Sequence, residues 1–133
     1  MIVALPKEND HLEHRVAATP GSVKDLIKSD IKVQVESEAG ARSFYSDQNY
    51  EDVGADIIQS ASELFSQADV LIKVLPPSKE EAALLKPGSI LISFCQTTRD
   101  LDTVKALTDR SVTGFSMHPV SYTHLTLPTI YSV

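Results

Sequence analysis

Residues 70–75, VLIKVL, form a nearly unbroken apolar run closed by Asp69 on one side and by Pro76-Pro77 on the other. A run this short between breakers fits a central strand of a parallel sheet, buried on both faces. Such a sheet needs helices on each face, and the rest of the chain supplies them in alternation with further strands. Ile2 to Leu5 reads as a short apolar strand. Thr19, followed by Pro20, has the chemistry of a helix start, and Val23, Leu26 and Ile27 share one face of a helix ending near Ser29. Ile31 to Glu36 alternates apolar and polar residues, as a strand nearer the edge with one exposed face would. Ser46 can cap a short helix through Val53, and Ser60 with Glu63 matches a capping box for another ending near Ala68; both read as polar enough to lie outside. A second box, Ser78 with Glu81, starts a helix that stops before Pro87-Gly88. Ser89 to Cys95 is a fourth strand, residues 100–109 a helix with Leu101, Val104 and Leu107 on one face, and Val112 to Met117 a fifth strand.

Five strands alternating with helices predict an α/β fold: a flavodoxin-like, doubly wound parallel sheet in the order 2-1-3-4-5. A length of 133 residues with 42% apolar residues suits a single domain. The net charge of −6 argues against a nucleic-acid surface and a basic membrane-binding face. No apolar run is long enough to cross a bilayer, and the first residues lack a basic signal-peptide region. Cys95, the single cysteine, excludes a disulfide framework and reads as a small apolar side chain in a cytoplasmic protein.

The last stretch breaks the pattern. Ser121 to Val133, SYTHLTLPTIYSV, contains no charged residue, although charges are spread through the rest of the chain. It has no cap and no helical period, and VSYTHLTLPT resembles a translated sequencing-adapter read. The expected organisation is therefore a domain over residues 1–119, truncated at its C-terminal end, followed by a non-native tail over residues 120–133.

Ligands of open parallel sheets bind outside the carboxyl ends of the strands. Arg15 follows the first strand, Lys73 lies late in the third, Gln96 to Thr98 follow the fourth, and His118 follows the fifth. Arg15 also stands just before the Thr19 helix start, and guanidinium groups and helix N-termini both favour anions. A surface pairing of Arg15 with Glu8, Asp10 or Glu13 is the plainer reading, and a Lys in a buried strand must find an anion or reach water. Together these residues suggest a crevice that holds a small oxo acid. The five glycines make neither GxGxxG nor a P-loop, so no dinucleotide phosphate cradle is expected. His11 and His14, with Glu8, Asp10 and Glu13 nearby, lack a third well-placed ligand and read as a solvated loop, not a metal site.

The segments RVAATP (15–20), FYSDQNYEDVGADI (44–57), ADVLIKV (68–74) and LLKPGSILISF (84–94) resemble, in order and spacing, the N-terminal domain shared by alanine dehydrogenase and the alpha subunit of proton-translocating NAD(P) transhydrogenase. RVAATP is closer to the transhydrogenase branch, since alanine dehydrogenases typically read RVALTP. After the fourth strand alanine dehydrogenases place a catalytic His, whereas this chain reads Phe94-Cys95-Gln96-Thr97. The resemblance implies that Arg15 and Lys73 occupy the superfamily's substrate-binding cationic positions; Gln96 and His118 are expected to line the crevice from their places after the fourth and fifth strands. It places no catalytic, cofactor-binding or metal-binding residue in this stretch.

For the parent protein the resemblance implies hydride transfer between NADH and NADP(H), coupled to proton translocation. NAD(H) would sit on a C-terminal Rossmann domain missing here, and NADP(H) on a partner subunit or domain. A homodimer, membrane and NADP-binding subunits, and a cytoplasmic position peripheral on the inner face of the membrane would follow. The fragment itself is expected to be inactive and to bind no cofactor. The runner-up is NAD-dependent alanine dehydrogenase. A non-catalytic binding module such as a phosphoacceptor receiver domain is a third class, but that class wants an Asp where Lys73 stands and a Lys where His118 stands.

Overall fold

The computed structural model describes residues 1–94, 100–117 and 129–131. Seven strands form one sheet: β1 (Ile2–Leu5), β2 (Lys32–Glu36), β3 (Asp56–Ile58), β4 (Val70–Ile72), β5 (Ile90–Ser93), β6 (Thr113–Ser116) and β7 (Thr129–Tyr131). They lie in the order β3-β2-β1-β4-β5-β6-β7. All neighbouring pairs are parallel except β6 and β7. The helices are α1 (Pro20–Lys28), α2 (Asp47–Glu51), α3 (Ala61–Gln67), α4 (Lys79–Leu84) and α5 (Leu101–Asp109).

The expected doubly wound sheet is present, with its five anticipated strands in the anticipated relative order. Two strands are additional. At one edge β3 pairs with β2, giving the six parallel strands the order 3-2-1-4-5-6 of two mononucleotide-binding halves. At the other edge β7 runs antiparallel to β6, with Ile130 opposite Phe115. The tail was expected to stand apart from the folded unit, and three of its residues instead occupy a sheet edge. An unpaired strand edge accepts any uncharged, β-prone segment, so the pairing fixes their conformation and not their origin.

The caps act where the sequence placed them. Thr19 Oγ1 accepts from Ser22 N, and both the Ser46–Asn49 and Ser78–Glu81 boxes close reciprocally. Ser60 caps α3 through Glu63 N. At Lys86–Ser89 the chain turns with Pro87 second and Gly88 third at φ 83°, and Ser89 N donates to Lys86 O; only glycine takes that φ without strain.

Two apolar layers sandwich the sheet. On one side Leu5, Val33 and Val35 pack with Val23 of α1 and Tyr50 of α2; on the other, Leu71 and Leu91 pack with Leu64, Phe65, Ala82 and Leu107 of α3, α4 and α5 and with Leu85, just past α4. Two expectations change here. The helix α3 is not peripheral, since Leu64 and Phe65 are fully buried. β2 is not an edge strand, because β3 pairs with its outer side, and the face expected to be open is covered at its middle, where Gln34 is buried and donates from Nε2 to Gln67 Oε1 of α3.

Candidate functional site

The sheet's direction of growth reverses between β1 and β4, which are adjacent and parallel. Loops leaving their carboxyl ends must diverge, and a crevice opens there. Hydrogen bonds continue past the strand ends: Lys73 N to Ile92 O, Phe94 N to Val74 O and Met117 N to Ser93 O. These bonds bring the ends of β4, β5 and β6 together as one wall. A cavity of about 320 Å³ lies against it, lined by Ile72, Lys73, Val74, Ile92, Ser93, Phe94 and Met117, with Arg15, Val16 and Ala17 closing the β1 side.

The loop carrying Arg15 is tied down along its length. Lys7 N donates to Glu36 Oε2, Arg42 Nη1 donates to the carbonyls of Asp10 and Glu13, Ser43 Oγ donates to His14 O, and Tyr50 Oη donates to Ala18 O. Burial pushes the Tyr50 phenol up to about 12, with a smaller effect from Tyr45, so it stays a donor. Burial likewise raises the Glu36 carboxyl, offset in part by the Lys7 N–H. At the start of α1, Thr19 itself takes one of the free N–H groups that attract anions.

The structure brings the two cations to one cavity and gives each a different partner. Lys73 and Glu8 are both 3% exposed at the side chain and meet at 2.9 Å, Nζ to Oε1. Glu8 also accepts from Val74 N at 3.1 Å and Leu75 N at 3.0 Å. The buried Lys has thus found its anion inside the chain, and the carboxylate doubles as a cap for backbone groups left free where β4 ends.

Arg15 is 65% exposed and forms a forked pair with Glu13, Nε to Oε1 at 2.8 Å and Nη2 to Oε2 at 2.9 Å. The plainer expectation, an acidic partner from its own loop, is met by Glu13. The bonds from Arg15 hold the Glu13 carboxyl down to about 2, and Glu13 in turn raises the guanidinium. The guanidinium lies 6.0 Å from the centre of the Phe94 ring.

Gln96 and His118, expected to line the crevice, and Thr97, Thr98 and Cys95 lie outside the described residues. Sequence reasoning missed Glu8 as the partner of Lys73, and it missed Phe94 and Met117 as walls. The available signal for Glu8 was the Lys itself: a cation in a buried strand requires an anion, and Lys7-Glu8 leaves the carboxyl end of the neighbouring strand.

A parallel sheet in this order, with a cation-bearing crevice at its switch point and no glycine cradle, defines a doubly wound α/β domain with a candidate anion-binding crevice. Residues 4–130 match the family model described as alanine dehydrogenase/PNT, N-terminal domain, and the chain belongs to that family. It is 36% identical over 128 residues to an alanine dehydrogenase from Methanococcus maripaludis, covering 96% of this chain and 34% of that protein. It is 36% identical over 120 residues to the NAD(P) transhydrogenase subunit alpha of Haemophilus influenzae, covering 90% and 23%. A solved transhydrogenase from Sinorhizobium meliloti superposes with a TM-score of 0.83 at 34% identity, covering 88% of this chain and 35% of that one. The chain spans about a third or less of the length of these relatives.

Proposed function

We propose that the chain is the N-terminal domain of the NAD(H)-binding alpha subunit of an NAD(P) transhydrogenase, a protein that moves hydride between NADH and NADP+ coupled to proton translocation. The observation that supports this branch is the end of β5, where the sequence runs Phe94-Cys95-Gln96. Oxidation of alanine through an imine requires a proton acceptor, and a neutral amide takes no proton.

In this reading Arg15 is the group that meets a small carboxylate, because its guanidinium is exposed at the cavity mouth, and Lys73 sets the field behind it while held by Glu8. NAD(H) binds elsewhere in the whole protein, NADP(H) on a partner, and the subunit works as a dimer on the inner membrane face. A second reading, NAD-dependent alanine dehydrogenase, is favoured by the relatives, which carry that name more often. The whole protein assayed for NADH-dependent reduction of an NADP analogue and for alanine oxidation separates the two. Transhydrogenation without alanine turnover is expected, and strong alanine turnover would overturn the assignment.

A further inference from the structure

A guanidinium has two edges that each fit a carboxylate: a side edge made by Nε and one terminal nitrogen, and an end edge made by both terminal nitrogens. Glu13 occupies the side edge of Arg15 through Nε and Nη2. Among the described residues Nη1 has no hydrogen-bond partner, so the end edge remains available at the rim of the cavity that Arg15 and Phe94 both line. Glu13 is itself fixed. Its carboxylate accepts from Arg15 N at 2.9 Å, its backbone carbonyl accepts from Arg42 Nη1, and its side chain is 10% exposed beside an Arg15 that is 65% exposed. A held carboxylate below one edge and an aromatic ring beside the plane leave the guanidinium few orientations.

We propose that Glu13 is a positioning residue: it clamps the side edge of Arg15 so that the end edge meets the carboxylate of a small 2-oxo acid entering the cavity. This rests on the reading of Arg15 as the anion contact. Glu13 is not among the residues lining the cavity, so its positioning effect passes through Arg15. A free arginine side chain must surrender its rotamer freedom to form a two-bond contact with a carboxylate, and the clamp has already removed that freedom. The lining beyond Arg15, from Val16 to Met117, is mostly apolar and suits a ligand with a short hydrocarbon body behind its carboxylate.

The test is a pyruvate titration of the 133-residue chain by calorimetry and amide NMR, on the wild type, Glu13→Gln, Arg15→Met and the double variant, with thermal midpoints for each. The proposal expects saturable pyruvate binding by the wild type and a dissociation constant at least fivefold higher for Glu13→Gln, with the midpoint lowered by no more than the few degrees that losing a solvent-facing ion pair allows. Arg15→Met should bind more weakly still, with the double variant no weaker than Arg15→Met. Equal affinity of Glu13→Gln and wild type overturns the positioning role alone. A further loss when Glu13→Gln is added to Arg15→Met also overturns it, because Glu13 would then act without Arg15. Absence of saturable binding by the wild type overturns the site reading and the positioning role together.

Discussion

Glu8 and Lys73 show what a buried charge demands of its surroundings. Both side chains are 3% exposed, and neither has water to fall back on. Removing one partner leaves the other ionised in a dry site, which costs about 3–5 kcal/mol. Lys73→Met and Glu8→Gln should therefore each destabilise the domain by that amount, whereas the double variant, in which the Gln carbonyl still accepts from Val74 N and Leu75 N, should lose clearly less than the sum. Urea unfolding of the four proteins measures the coupling, and additive losses would show that the two charges are independent. Glu13 behaves differently because its partner faces solvent. With its carboxyl lowered to about 2 by Arg15, its stabilisation is complete above its ordinary value of 4.5 and is lost as the pH falls through about 2. Solvent screening holds the contribution to about 1 kcal/mol or less. The stability difference between wild type and Glu13→Gln should shrink to nothing between pH 4.5 and 2, as read by thermal melts. Arg15 and Lys73 were legible as unusual cations because of where they stand in the strand pattern. Their partners were not, since Glu8 and Lys73 are 65 residues apart and meet only once the first loop has folded over the end of β4.

Among the elements, strong patterns survived and short ones did not. The capped helices and the alternating strands appear, because apolar period and cap chemistry are local signals, and VLIKVL appears as the shorter β4, Val70–Ile72, with Lys73 just past its end. β3 escaped notice because three residues, Asp56–Ile58, give no period to read, and its pairing with β2 comes from tertiary context. α3 looked polar because most of its seven residues are, yet Leu64 and Phe65 suffice to fill the space under β1 and β4. β7 poses a separate question. The family match runs to residue 130, over part of the uncharged tail, and Thr129–Tyr131 pair with β6. We propose nonetheless that the tail is not native to the domain, from its lack of charge and its adapter-like wording. A three-residue antiparallel edge contributes little to a seven-stranded sheet, so deleting residues 120–133 should move the thermal midpoint by no more than about 3 °C, equivalent to under 1 kcal/mol. A larger drop would mark the tail as a working part of the fold.

For the molecule as a whole, the six parallel strands have the order of a dinucleotide-binding fold while the chain lacks that fold's glycine turn. After β1 comes Pro6-Lys7-Glu8 in place of a glycine-rich loop, and the buried Glu8 carboxylate takes up the Val74 and Leu75 N–H groups past the end of β4. Those N–H groups are therefore not free for a phosphate, and we propose Arg15 as the anion contact of this domain. The overall architecture was readable in the sequence from strand and helix alternation, whereas the division of labour between an exposed and a buried cation depends on loop packing across the switch point. The most direct measurement is a pair of amide NMR titrations of the chain, one with pyruvate and one with NADH. The account predicts that pyruvate shifts resonances around Arg15, Val16 and Phe94 to saturation, while NADH gives no saturable change below the millimolar range. Low-micromolar NADH binding, or a pyruvate response that avoids the Arg15 loop, would contradict it.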